Sequence, residues 1–289
     1  MGQVPTEAVK KPDVLASDRA VKILVVGDGR LATALIATLR EQARQPEARH
    51  TPSRARPNHI QTHLQWSRRA QGAAAFSDTV LSFQPTHVWL AISDRAIEPF
   101  VREHATALQG RTLVHFAGSL SGFDVPAAGR VHSAHPLSTF ATLTTTPGNF
   151  VKVPFILDID GPNLSELLPG FENPSHRLAA RDRAYYHALC AIAGNFTVLL
   201  WETVAKRFEN ELQISAKALD TYQAQVFANL ADAPFDKSVL TGPLVRGDVP
   251  TLEAHHRALI EHFESPLLKI YDGFADLYRT ESQKTRGPL

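Results

Sequence analysis

Gly27-Asp28-Gly29-Arg30-Leu31-Ala32 is a G-x-G-x-x-A turn, entered by the apolar run Val21 to Val26 and followed by Leu31, Leu35, Ile36 and Leu39 at helical spacing. Strand, glycine turn and helix in that order open a βαβ unit of the kind that holds a dinucleotide. The first glycine makes the tight turn, the second admits a pyrophosphate to the backbone, and a small third residue lets helix and strand pack closely. Amides at the start of the helix attract the phosphate charge. Asp28 opposes that charge unless Arg30 or solvent compensates it. Ser67-Arg68-Arg69 follows the next strand-like stretch, where such units read the adenosine ribose. An acid there would bind the 2′-hydroxyl of NAD, whereas an arginine accommodates the 2′-phosphate of NADP. This segment has arginine and no acid, so NADP is expected ahead of NAD. Ile92 and Ser93, where the third strand ends, complete the expected cofactor-binding set.

Other polar residues stand where proton or substrate chemistry could use them. His135 precedes Pro136 and follows the small residues Ser133 and Ala134. A neutral imidazole there can exchange a proton with a carbonyl, hydroxyl or amine while hydride moves, or it can simply bond its own loop. Ser119 could hold substrate or fix the turn from Gly118 to Gly122. His187 and Asn195 are polar positions in an otherwise apolar, small-residue helical stretch. On a regular helix eight positions are about 12 Å and roughly 80° apart, so both could edge one cleft. Gly194 beside Asn195 implies close helix packing or a ligand, because glycine costs about 1 kcal/mol against alanine inside a helix. Thr241 and Arg246 belong to a compact loop before a later helix, where Arg246 could pair with a substrate carboxylate. Asp248 is an N-cap candidate. The expectation is that Ser119, His135, Asn195 and Arg246 converge in one cleft beside the cofactor. No metal site is expected: the 13 histidines are scattered and the single cysteine has no pair.

These residues need a scaffold, and a chain of 289 residues has room for one large or two medium domains. A formal charge of +1 gives no global reason to expect nucleic acid or an acidic membrane surface. The apolar stretches read as too often interrupted for a membrane span. Residues 1–20 read as a flexible tail with no signal-peptide core. Cys190, a single cysteine in an apolar helical stretch, reads as a small core residue and favours a reducing cytoplasm.

Strand patterns recur at 59–66, 87–92, 111–116 and 153–158, separated by helix-length segments, with an arginine- and proline-rich loop at 43–58. This is the signature of an α/β domain with a mostly parallel sheet covered on both faces. From Arg181 apolar residues recur at helical spacing in four successive segments, the last opening at Ser265-Pro266 with the form of an N-cap and first-turn proline. The expected organisation is therefore a Rossmann-like dinucleotide-binding domain over 21–178 and an all-helical domain over 179–289. The helical stretch is apolar on too broad an arc for one sheet domain to cover, which implies a homodimer.

That layout is similar to the 6-phosphogluconate-dehydrogenase-like superfamily, and several motifs narrow the likeness. Ser93-Asp94-Arg95-Ala96-Ile97, His115-Phe116-Ala117-Gly118-Ser119-Leu120, His132 to Leu137, Tyr186-His187-Ala188 with Gly194-Asn195-Phe196, and Leu240 to Asp248 occur in that order. Over about residues 21–262 the chain resembles a bacterial family of unassigned activity in which a Rossmann-like domain precedes a helical domain of unknown function. Relatives of that family include pyrroline-5-carboxylate reductases and deazaflavin-dependent NADP oxidoreductases. No reaction follows from that resemblance; the expected activity is that of an NADP-dependent oxidoreductase acting on a small C=O or C=N substrate in the cleft between the domains. A sensor that binds NADP(H) without turnover, and an interaction module without cofactor, are the alternatives. His135-Pro136 further resembles the His-Pro segment of prephenate dehydrogenases, whose histidine faces substrate and nicotinamide. Asn195 stands near the place of a second histidine there, so that particular dehydrogenation is not implied.

Overall fold

A computed structural model of the protein describes residues 20–44, 60–72, 75–140, 150–233, 239–261 and 266–284. The tail, most of the arginine-proline loop and Ser265 lie outside the described residues. Two compact units divide the chain, the first ending at Leu200 and the second starting at Trp201.

In the first unit, strand β1 (Val21–Val26) has β2 (Ile60–Trp66) on one side and β3 (His87–Leu90) on the other, followed by β4 (Thr112–His115), β6 (Gly129–Pro136), β7 (Phe155–Asp158) and β8 (Ser175–Leu178). A short β5 (Phe123–Val125) pairs antiparallel with β6. The pairings from β2 through β4 to β6 are parallel, as is β7 with β8, while β6 and β7 run antiparallel. The sheet is therefore mostly parallel, as the alternation of apolar strands and helix-length segments implies. Strand β1 shows why both faces are covered. Its alternate residues Ile23 and Val25 enter one buried cluster with Leu35 and Leu39 of α1 (Arg30–Arg44), while Leu24 and Val26 enter another with Trp66, Phe76, Ile97 and Phe100. A strand buried on both faces reads as a continuous apolar run, which is how Val21 to Val26 appears.

Two strands depart from the sequence pattern. His135 and Pro136 are the last residues of β6 rather than part of a loop, paired with Ile156 and Phe155. Proline is tolerated there because it closes the strand, where a missing donor costs least. Strand β8, Ser-His-Arg-Leu, is mostly exposed at the sheet edge and has no apolar alternation to betray it.

After β8 the chain enters one long helical run, Ala180–Asn210. It includes α2 (Arg183–Ala191), a π-helical turn (Ile192–Phe196) and α3 (Thr197–Asn210). By length and composition alone this run could cross a membrane, which corrects the expectation that polar residues interrupt every apolar stretch too soon. The second unit continues with helices at Leu219–Asp232, Pro243–Arg246, Val249–Glu261 and Pro266–Lys284. Asp248 caps the third of these, its carboxylate accepting from the Thr251 amide at 3.3 Å and the Thr251 hydroxyl at 2.8 Å.

One buried ion pair fastens the long helix to the sheet. Arg183 Nη2 donates to Asp158 Oδ1 at 3.0 Å, with side-chain exposures of 1% and 10%. The same carboxylate accepts from the Ser133 amide at 3.0 Å and the Gly122 amide at 3.1 Å. Breaking a buried pair strands the remaining charge without solvent. Arg183→Met is therefore expected to cost about 3–5 kcal/mol in urea unfolding; a loss below about 1 kcal/mol would mean that the pair contributes little to stability.

Candidate functional site

The first half of the site lies where β1 has neighbours on opposite sides, so that the chain departs in two directions and leaves a crevice at the carboxyl ends of the strands. Gly27 adopts φ +131, and a Cβ there would fall 2.2 Å from the Ala91 carbonyl oxygen. The turn is held from below by Gly27 N–H donating to the Trp66 carbonyl at 2.8 Å and from the side by Gln65 Nε2 donating to the Gly27 carbonyl at 2.9 Å. Gly29 faces open space, with no atom within 4 Å of the position its Cβ would take.

Above this turn is a cavity of about 750 Å³ whose walls include the glycine turn, Ser67, Ile92 and Ser93. Arg30, Arg68, Arg69 and Arg95 line it together with two carboxylates, Asp28 and Glu103. The balance of charge favours a phosphorylated ligand. The Asp28 carboxylate lies 3.9 Å from Arg69, a cation in addition to the Arg30 or solvent that the sequence offered as its compensation. Arg68 Nη2 donates to Glu103 Oε2 at 2.8 Å. Ser67 accepts from the Ala70 amide at 3.3 Å and so starts the short helix carrying both arginines. The open Gly29, a pocket of this size and its excess of guanidinium groups fit a dinucleotide, with the glycine turn at the pyrophosphate and Arg68 and Arg69 at the adenosine ribose. Leu31 and Ala32 lie in the first turn of α1, and Ala32 is fully buried. That leaves Ala32 the packing role expected of the small third residue.

The second half is on the same edge of the sheet. Strand register aligns Val26 with Leu90, Leu90 with His115, and His115 with Ser133. His135 is two residues beyond Ser133, at a strand end about 14 Å across the sheet from β1, three strand spacings of about 4.8 Å. Gly118 faces it closely: an added Cβ would be 2.9 Å from His135 Nε2 and 2.5 Å from His187 Cδ2. His135, His187 and the Gly118-Ser119 turn are thus brought together. Tyr186, which apolar periodicity files with the helix core, joins them, its hydroxyl 2.8 Å from His135 Nδ1. Cys190 is half-buried rather than a core residue, and its thiol contacts the Tyr186 hydroxyl.

Burial, then the neighbouring His187, Arg183 and His115, lowers the His135 pKa from 6.5 to about 4. Its imidazole is therefore neutral at physiological pH. His115 is also held below its usual pKa, chiefly by burial. Its Nδ1 accepts from the Ala117 amide at 3.2 Å, leaving Nε2–H to donate to the Ser121 carbonyl at 3.2 Å. Burial raises the Tyr186 pKa further above the ordinary phenol value.

Asn195 is exposed on the π-helical turn. That turn corrects the regular-helix phase. Absorbing one extra residue removes about 100°, so His187 and Asn195 fall within roughly 20° of one face rather than 80°. A Cβ on Gly194 would come no closer than 3.6 Å to Thr139. Tight packing therefore does not require glycine there. Thr241 and Arg246 are both exposed and belong to the second unit.

Neutral buried histidines make stability depend on pH. In the unfolded chain His135 binds a proton near pH 6.5, while in the folded protein it does so only near 4. Its contribution is full above 6.5 and is lost as pH falls toward 4, by up to about 1.4 kcal/mol per pH unit. Urea unfolding between pH 4.5 and 7.5 is expected to show this slope, reduced in His135→Gln; an unchanged slope in the variant would refute the assignment.

Residues 160–284 match the family model of a domain of unknown function, DUF2520. No curated protein matches the chain in sequence. Among solved structures, a Thermotoga maritima protein is similar over 91% of this chain and 99% of its own, at 21% identity and TM-score 0.62. A Bacteroides fragilis protein, provisionally named an NADP oxidoreductase, covers 89% of this chain and 97% of its own at 16% identity and TM-score 0.59. An imine reductase of Streptomyces aurantiacus covers 91% and 95% at 15% identity and TM-score 0.55. The shared property is the fold, a Rossmann-like sheet followed by helices; the match to DUF2520 covers residues 160–284.

Proposed function

We propose that the protein is an NADP(H)-dependent oxidoreductase that transfers hydride to or from a small C=O or C=N substrate. The observation that carries this reading is the cavity above an open Gly29, lined by Arg30, Arg68, Arg69 and Arg95 at the carboxyl ends of the strands. A nicotinamide cofactor would supply the hydride, while the protein supplies position, hydrogen bonding and charge complementarity. Gly27 to Ala32, Ile92 and Ser93 hold the cofactor, with Ser67, Arg68 and Arg69 at its adenosine end. His135 and His187 flank the substrate, and Ser119 and Asn195 orient it. A fold shared with structures named for NADP and imine reduction supports the same reading. The partners proposed are a small molecule and a second copy of the chain, in the cytoplasm, with no nucleic acid or membrane.

The second copy is proposed from the long helix. Ile192, Phe196, Val198 and Leu199 are each more than half exposed on it. Exposed large apolar side chains spread over a broad arc of one helix favour association. Asn195 and Glu202 lie on the same run, which disfavours lipid as its cover because polar and charged groups are costly in hydrocarbon.

Calorimetry is expected to give tighter binding of NADPH than NADH, and Arg68→Glu should lower that preference about 10-fold or more by placing a carboxylate against the 2′-phosphate. Equal affinities in the unaltered protein would reject the cofactor assignment. With NADPH and a panel of cyclic imines and ketones, His135→Ala should lower turnover about 10²-fold while leaving NADPH affinity intact. Cofactor binding with no turnover across that panel would favour the sensor. Light scattering at micromolar concentration should report a dimer; a monomer would refute the association surface.

A further inference from the structure

We propose that Tyr186 fixes the tautomer of His135, so that the imidazole presents Nε2–H as a hydrogen-bond donor on the side facing Gly118. The substrate-facing purpose of that donor rests on the oxidoreductase reading; the tautomer itself rests on geometry alone. The Tyr186 hydroxyl is 2.8 Å from His135 Nδ1, with the two rings nearly perpendicular at 81°. The opposite nitrogen, Nε2, is the ring atom nearest the space a Gly118 side chain would take. The Tyr186 hydroxyl also bonds the Cys190 thiol, one helical turn further on.

Two directions of proton order satisfy this chain, and they are not equal. In one, the thiol donates to the phenol oxygen and the phenol donates to Nδ1. In the other, Nδ1–H donates to the phenol and the phenol donates to sulfur. The first places the phenolic proton on an imidazole lone pair, whereas the second places it on sulfur, a weak acceptor. The first order is therefore preferred, and it leaves the ring proton on Nε2.

The surroundings keep the ring neutral. Around it are Arg183, Tyr186 and His187 from the long helix and His115 from β4, which add positive or neutral groups but no carboxylate in contact. Asp158 is engaged by Arg183 and the amides of Gly122 and Ser133. Burial first, and then the neighbouring His187, Arg183 and His115, lower the His135 pKa to about 4, in keeping with a neutral donor across the physiological range. Such a donor polarises a C=O or C=N acceptor without carrying a net charge into the site. Tyr186 is a positioning residue in this arrangement, acting through His135.

The test is long-range proton–nitrogen correlation on the full chain labelled with 15N-histidine, ligand-free, with His135 assigned by loss of its signals in His135→Gln. The expected spectrum has a pyridine-type Nδ1 and a pyrrole-type Nε2, unchanged from pH 8 to pH 5.5. Tyr186→Phe should shift both nitrogens toward the tautomer average, whereas Cys190→Ala, which keeps the phenolic donor, should not. A pyrrole-type Nδ1, an imidazolium at pH 7, or a Tyr186→Phe spectrum identical to the unaltered protein would overturn the proposal. If Tyr186→Phe does not fold, the spectrum of the unaltered protein decides alone. NADPH calorimetry on the same sample separates the readings: the expected spectrum without NADPH binding refutes the oxidoreductase, and NADPH binding with the opposite tautomer refutes only the role of Tyr186.

Discussion

Everything in the second half of the site depends on the carboxylate of Asp158. It receives Arg183 from the long helix, the Ser133 amide from β6 and the Gly122 amide from the turn after β4. Three separate segments are thereby referred to one point. Tyr186 and His187 follow Arg183 by one turn, so the ion pair sets the face of the helix that meets His135. Gly122 can be nothing larger, because a Cβ would lie 2.5 Å from the carboxylate. The pair is costly to desolvate, and losing either partner would leave the other charge stranded between helix and strand.

The cofactor half rests on a different device, a backbone turn at a topological reversal. It needs little side-chain support beyond Gln65, and its charge is carried on arginines with long, mobile stems. The two halves are connected through the register of β1, β3, β4 and β6, which brings Val26, Leu90, His115 and Ser133 into one line. Apolar side chains on both faces of these strands make that line rigid.

Local features of the chain were legible in proportion to their periodicity. The strand-turn-helix around Gly27 could be read because its apolar positions repeat and its glycines have a stereochemical reason. His135 was legible as a polar residue among small ones, but not as part of a strand, since Pro136 signals a break before the strand has ended. Strand β8 carries no apolar signal because it lies exposed at an edge. Tyr186 was hidden by its own ring, which counts as apolar in any periodicity even when its hydroxyl does the work. The Asp158–Arg183 pair spans 25 residues, and no local pattern encodes such a distance. The hint available was an acid closing an apolar strand and a base opening an apolar helix, two charges where burial was otherwise expected.

The π-helical turn at Ile192–Phe196 has a meaning for how this chain can vary. A π turn is one residue too many for its helix, so loss of a single codon there would leave the helical hydrogen bonding able to close regularly. The remainder, Thr197–Asn210, would keep its angular phase relative to Arg183 and Tyr186, because the turn already absorbs the roughly 100° that the lost residue would otherwise have added. Loss of a residue elsewhere in the helical run would have no such absorber and would re-face every position beyond it by about 100°, so this turn is the place where the run can change length while each side chain keeps its direction.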